Sequence, residues 1–142
     1  MLLPDLNVLI GAHRSDSPLH APCRDWLLAA YGGDEPFGIC APVLIGLVRI
    51  LTHPRVFLPP DTHEQAFAFV RSLLAHPNAL LLNPGRDHMR IFEELCRGAD
   101  ACGDLVTDAY LAALAIETGA LLVSADRDFA RFDGLRWVHP GG

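Results

Sequence analysis

The segment Ala120-Leu121-Leu122-Val123-Ser124 constrains the fold more than any other stretch of this chain. It is short, nearly all apolar, and follows a helical pattern that ends at Gly119. A strand without polar alternation must be covered on both faces, as in the parallel sheets of α/β proteins. Met1 to Pro4, Phe37 to Cys40 and Ala79 to Leu82 repeat the pattern, and helical periodicity fills the segments between them. Strands alternating with helices along the whole chain predict a central, mostly parallel sheet with helices on both faces.

Punctuation places the helices. Leu6 to His13 follows the first strand directly. Ser17-Pro18 opens a second helix with proline in its first turn, and Gly32-Gly33 stops it. Pro42 starts a third, running to Leu51. Asp61 or Thr62 caps a fourth, with Glu64 and Gln65 at capping-box spacing. A fifth spans about Arg86 to Arg97, and the longest pattern runs from Asp104 to Thr118, closed by Gly119. A short helix over Asp128 to Phe132 and an edge strand over Arg136 to His139 complete the chain. With 142 residues and neither repeats nor a linker, residues 1–142 read as a single domain.

Composition removes several function classes. All eleven basic side chains are arginine, so the P-loop lysine and Schiff-base chemistry are excluded. Cys23, Cys40, Cys96 and Cys102 form no C-x-x-C pair, and the seven histidines are scattered without an H-E-x-x-H. The net charge of −6 lacks the basic footprint of most nucleic-acid binders. Arg49, Arg55, Arg86, Arg90, Arg127, Arg131 and Arg136 remain available to line a groove. No apolar run is long enough to cross a bilayer and no secretory leader is evident, so a soluble cytoplasmic protein is expected.

Three aspartates stand where apolar runs stop. Asp5 follows the first strand, Asp126 follows Leu121-Leu122-Val123-Ser124-Ala125, and Asp108 lies one turn into the longest helix. In a parallel α/β sheet such positions share one edge of the molecule. Carboxylates gathered there repel one another by ~3 kcal/mol per pair at about 6 Å, which a hard divalent cation would offset. Asp108 is the hardest to explain as a cap, because its helix face continues through Leu111, Ala112 and Ala115. Asp5 is also a natural N-cap, and Asp128 is the expected cap of the short helix after Asp126. Asp104, four residues before Asp108, can share its face and is also an obvious N-cap. Asn7 is a candidate amide to orient Asp5 or a metal-bound water. Ser124 is a candidate to bind phosphate or water at the strand end.

These segments together resemble the PIN-domain nucleases, in particular the VapC-type toxins of bacterial toxin–antitoxin pairs. The resemblance covers nearly the whole chain. It is carried by Leu3-Pro4-Asp5-Leu6-Asn7-Val8-Leu9, by Asp104-Leu105-Val106-Thr107-Asp108-Ala109, and by Leu122-Val123-Ser124-Ala125-Asp126-Arg127-Asp128-Phe129. Val48 to Phe57 is similar to one branch of the family. The resemblance implies a PIN-like three-layer α/β fold. It further implies an endoribonuclease in which Asp5, Asp108 and Asp126 hold Mg²⁺ or Mn²⁺; Asp104, by its spacing from Asp108, is a further candidate ligand. It implies as partners an RNA substrate, a VapB-like antitoxin and a second copy of the chain.

Two positions depart from the family pattern. Gly46 occupies the place where the family usually carries a glutamate, leaving Asp104 or Glu35 to supply the charge. Pro4 removes a backbone donor just before Asp5. The glycine motivates an alternative: a degenerate PIN module that binds RNA or protein without cutting. A phosphoryl-aspartate protein also gathers strand-end aspartates around Mg²⁺, but that class generally uses a lysine.

Overall fold

The structure is a computed structural model that describes all residues, Met1–Gly142. Five strands form one parallel sheet in the order β3-β2-β1-β4-β5, with β1 Leu2–Pro4, β2 Phe37–Cys40, β3 Ala79–Leu82, β4 Leu121–Val123 and β5 Trp137–Val138. Helices α1 Leu6–His13 and α2 His20–Gly32 join β1 to β2; α3 Ala41–Leu51 and α4 His63–Ala75 join β2 to β3. Helices α5 His88–Gly98 and α6 Asp104–Thr118 then carry the chain back across the sheet to β4. Parallel crossovers are right-handed, so connections running in opposite directions along the sheet place their helices on opposite faces. That is the three-layer arrangement expected. The core between the layers includes Leu3, Leu9, Phe37, Ile39, Leu47, Leu114, Leu122 and Phe129, all almost fully buried.

Most elements form where their sequence signals stand, and the differences have local causes. The helix expected at Ser17-Pro18 begins at His20, because Ser17 Oγ accepts from the Leu19 N–H and His20 Nδ1 contacts the Gly11 carbonyl, holding residues 17–19 in a turn. Thr62, not Asp61, caps α4 through a complete capping box with Gln65. Gly103, not Asp104, is the N-cap of α6. Asp126, not Asp128, caps the 3-10 turn Arg127–Arg131, accepting from the Asp128 N–H at 2.8 Å.

Pro4 lies in the central strand, an unusual place for a residue with no N–H. Its direction explains the tolerance. The Leu2 N–H bonds to Pro36 on the β2 side, whereas the Asp5 N–H bonds to Val123 of β4. Backbone groups alternate along a strand, so the donor missing at Pro4 belongs to the β2 side. There the β1–β2 ladder has a single register pair, Leu2↔Phe37, while β1 and β4 pair from Leu2↔Leu121 to Pro4↔Val123.

Candidate functional site, an acidic cleft at the carboxyl edge of the sheet

Connections leave β1 toward β2 on one side, while β4 lies against its other side. The carboxyl ends of β1 and β4 therefore flank the switch point of the sheet, where open α/β folds place their ligand sites. Asp5 follows β1 and Asp126 lies just beyond β4.

Asp5 continues the pairing of β1 one residue past the strand, donating its N–H to the Val123 carbonyl at 2.8 Å, and then caps α1. Its Oδ1 accepts from the Leu6 N–H at 2.7 Å. Its Oδ2 accepts from the Ser124 hydroxyl at 2.7 Å and from the Asn7 amide at 2.9 Å. Ser124 is fully buried rather than solvated, and its Oγ also accepts from Asn7 Nδ2 at 3.1 Å and from the Asp126 N–H at 3.0 Å. Asn7 Oδ1 in turn accepts from the Ala125 N–H at 3.1 Å. Asn7 and Ser124 thus tie the end of β1 to the loop after β4 and fix the Asp5 carboxylate between them.

Asp5, Asp108 and Asp126 line one cleft of about 280 Å³, together with Leu6, Asn7, Ile10 and Ile50. Asp5 and Asp108 also border a smaller hollow of about 80 Å³ shared with Pro42, Thr107 and Tyr110. Burial pushes Asp108 up to about 7, and the charges of Asp5, Asp126, Asp104 and Asp128 add to the shift. Burial also raises Asp5, helped by the charge of Asp126 and opposed by its bonds from Ser124 and Leu6. No basic side chain contributes to either balance. The cleft is a place where negative charge is confined without a compensating basic side chain.

Other candidates fall outside it. Asp104 is exposed in the first turn of α6 and does not line the cleft, reaching Asp108 only through its field. Glu35 pairs with the Met1 amino group at 2.8 Å, at the opposite end of β1. None of the seven arginines named above lines the cleft. Arg90 pairs with Glu94, while Arg131 and Arg136 donate to the Ala99 and Gly119 carbonyls.

Gly46 is buried, and a Cβ built on it would stand 2.8 Å from Leu6 Cδ2. Leu6 occupies the space into which a side chain at 46 would grow, so the α3 wall of the cleft is apolar. Ile10 of α1 and Ile50 of α3, which line the cleft, are residues that sequence reasoning missed. Ile10 carries one usable signal, a spacing of three from Asn7 along α1.

No group of three or more His, Cys, Asp or Glu side chains stands close enough to hold a metal ion as arranged. The donor chemistry is nevertheless that of a hard cation site, since the polar side chains lining the cleft are the carboxylates of Asp5, Asp108 and Asp126 and the amide of Asn7. Mg²⁺ takes only one or two protein carboxylates and completes its shell with water and phosphate oxygens, a demand that Asp5 and Asp108 can meet.

A three-layer α/β fold with an acidic cleft at the switch point of a parallel sheet defines the class. The chain belongs to the PIN domain family, which matches residues 2–135. It is 43% identical over 140 residues to ribonuclease VapC31 of Mycobacterium tuberculosis, covering 99% of each chain. With ribonuclease VapC43 of the same organism it shares 46% over 140 residues, 99% of this chain and 95% of the relative. Among solved structures, VapBC2 from Rickettsia felis bound to a promoter DNA fragment superposes with a TM-score of 0.70 at 17% identity, covering 97% of both chains. VapBC-1 from nontypeable Haemophilus influenzae gives 0.72 at 13% identity, covering 99% of this chain and 98% of the other. These two likenesses establish the fold.

Proposed function

We propose that this protein is a metal-dependent endoribonuclease, the toxin of a toxin–antitoxin pair, and that Asp5, Asp108 and Asp126 are its catalytic carboxylates. The observation that carries the reading is the convergence of the three on one cleft in which Asp108 is pushed up to about 7. A phosphodiester would bring yet more negative charge to this edge, so an RNA-cutting site here requires a cation. The names of the relatives support the ribonuclease class.

Asp5 and Asp108 would hold Mg²⁺ or Mn²⁺, with Asp126 nearby. Such an ion, when bound, lowers the pKa of a water and offsets charge on the phosphate. The chain's own residues do the rest. Ser124 and Asn7 fix the Asp5 carboxylate, so that its remaining lone pairs keep one direction. Asp108 gives up the proton it holds near neutral pH when positive charge arrives beside it. Asp126 is oriented by the Asp128 N–H at the mouth of the cleft.

A VapB-like antitoxin belongs to the same reading, in line with the VapBC names of the structural neighbours; a homodimer and a cytoplasmic location are inferred along with it. No helix is long and apolar enough to cross a membrane. A second reading, a module that binds RNA without cutting, is favoured by the apolar side chain filling the space beside Gly46. Pure protein incubated with structured RNAs, with Mn²⁺ or with EDTA, separates the two. Mn²⁺-dependent cuts that disappear in Asp5→Asn and Asp108→Asn support the nuclease. Retention of RNA without a cut under any metal condition supports the module.

A further inference from the structure

Helix α4 buries Ala66, Val70 and Leu73 on its inner face and leaves its outer face uncovered. On that outer face Glu64, Phe67, Ala68 and Arg71 follow one another at helical spacing, and all four are exposed. Phe67 borders an apolar groove of about 520 Å³ between α4 and α3, with Ile45 on the α3 side and Arg49 as its one charged side chain. Phe67 is 45% exposed and Ile45 67%. Neither Glu64 nor Arg71 takes part in an ion pair within the chain. The face thus carries an exposed ring at its centre, an unpaired acid one turn before it and an unpaired base one turn after it.

We propose that α4 is the seam of a two-fold homodimer, in which the α4 helices of two copies pack antiparallel with the axis between Phe67 and Ala68. The inference rests on the homodimer inferred with the proposed function and assigns it a surface. In an antiparallel pair, residues equally far before and after the axis face each other. Glu64 then meets Arg71 of the second copy, and Arg71 meets its Glu64. Each Phe67 ring lies against the small Ala68 of the other helix, a large residue facing a small one. Packed parallel, the same helices would set Glu64 against Glu64 and Arg71 against Arg71, so charge fixes the direction. A foreign helix would have to be matched to this pattern separately; a second copy matches it by symmetry. The α3–α4 groove flanks the seam, so each α4 also covers apolar surface of the other copy around Ile45. Burial of Phe67 and Ile45 supplies the affinity, and the charged pairs at either end set the register.

The test is the association state of the full chain, followed by sedimentation velocity over a wide range of concentration. Glu64→Arg and Arg71→Glu each place like charges opposite one another at both ends of the seam. Each should weaken the dimer roughly tenfold or more. The double change Glu64→Arg with Arg71→Glu sets opposite charges face to face again and should restore the dimer. An equimolar mixture of the two single variants should restore it too, as a heterodimer. Ala68→Arg, which fills the place of the opposing Phe67 ring, should give a monomer with the far-UV circular dichroism of wild type. A dimer indifferent to both single reversals, or a double change that restores nothing, overturns the seam. The homodimer then stands on another surface, and the groove is left to a helix of a different protein. A wild-type chain that stays monomeric throughout removes the homodimer together with its seam. Mn²⁺-dependent RNA cutting, measured on the same samples, reads the nuclease separately, because none of these residues lines the acidic cleft.

Discussion

The Ser124 hydroxyl donates to Asp5 Oδ2 at 2.7 Å across 119 positions of sequence, joining the ends of the two strands that flank the switch point. Ser124 is fully buried, so no water can replace it. Ser124→Ala leaves Asp5 short of a donor, at a cost of about 1–3 kcal/mol. The bond is stronger to an ionised carboxylate than to a protonated one. Urea unfolding should therefore show a larger loss at pH 8 than at pH 4. An equal loss at both would mean that the hydroxyl matters only for packing.

Asp108 makes the metal-free protein less stable as pH rises. Its folded pKa of about 7 lies above the ordinary 3.8, so between these values the folded chain binds more protons than the unfolded one. Stability then falls as pH climbs from ~4 through ~7, by roughly 2 kcal/mol once solvent screening is allowed for. Asp108→Asn should remove that slope and raise the melting temperature in EDTA at pH 8. Asp5→Asn should not do the same, because a side-chain N–H₂ would face the amide of Asn7. A lower metal-free melting temperature for Asp108→Asn would show that the carboxylate serves the fold.

The space beside Gly46 belongs to Leu6. Gly46→Ala gains ~1 kcal/mol of helix propensity but forces Leu6 aside. In combination with Leu6→Ala the clash disappears, and the double mutant should be about 1 kcal/mol more stable than the sum of the single changes. Additive effects in thermal unfolding would place Leu6 elsewhere.

How much of this was legible in the sequence depends on the range of the interaction that decides each feature. Helix α1, strands β2 and β3, helix α6 and the glycine that ends it answer to nearest-neighbour signals, and they stand where those signals put them. Asp5, Asp108 and Asp126 could be grouped because strand ends and helix starts share an edge in any parallel sheet. The caps expected at Asp104 and Asp128 stand one and two residues early, at Gly103 and Asp126, and of the two candidates at α4 tertiary partners leave Thr62 to cap. Asp61 is the clearest case. It is drawn away from α4 by His13 and Arg14, 48 and 47 positions earlier, at 2.7 and 2.8 Å. Nothing local announces that network, or the apolar wall that Ile50 brings to the cleft.

That network supplies its own prediction. The Asp61 side chain is 5% exposed and bound by two partners, and the Arg14 guanidinium also contacts the Pro59 carbonyl and lies 4.3 Å from the centre of the Phe57 ring. Asp61→Ala should cost about 1–3 kcal/mol, since Arg14 keeps its pair with Asp16 at 2.7 Å and its bond to Pro59 while losing one charge-assisted bond. Mn²⁺-dependent cutting should persist at temperatures where the variant remains folded, because Asp61 does not line the acidic cleft. Loss of cutting by a fully folded Asp61→Ala would tie this network to the chemistry.

On the proposed function, the cleft of Asp5, Asp108 and Asp126 is where a divalent ion and RNA meet. Its most direct test is a calorimetric titration of Mn²⁺ into wild type and Asp108→Asn, with RNA cutting followed on the same samples. Affinity in the variant should be at least about tenfold weaker, on the scale of disrupted metal shells, and cutting should be lost. Unchanged Mn²⁺ affinity with undiminished cutting in Asp108→Asn would contradict it.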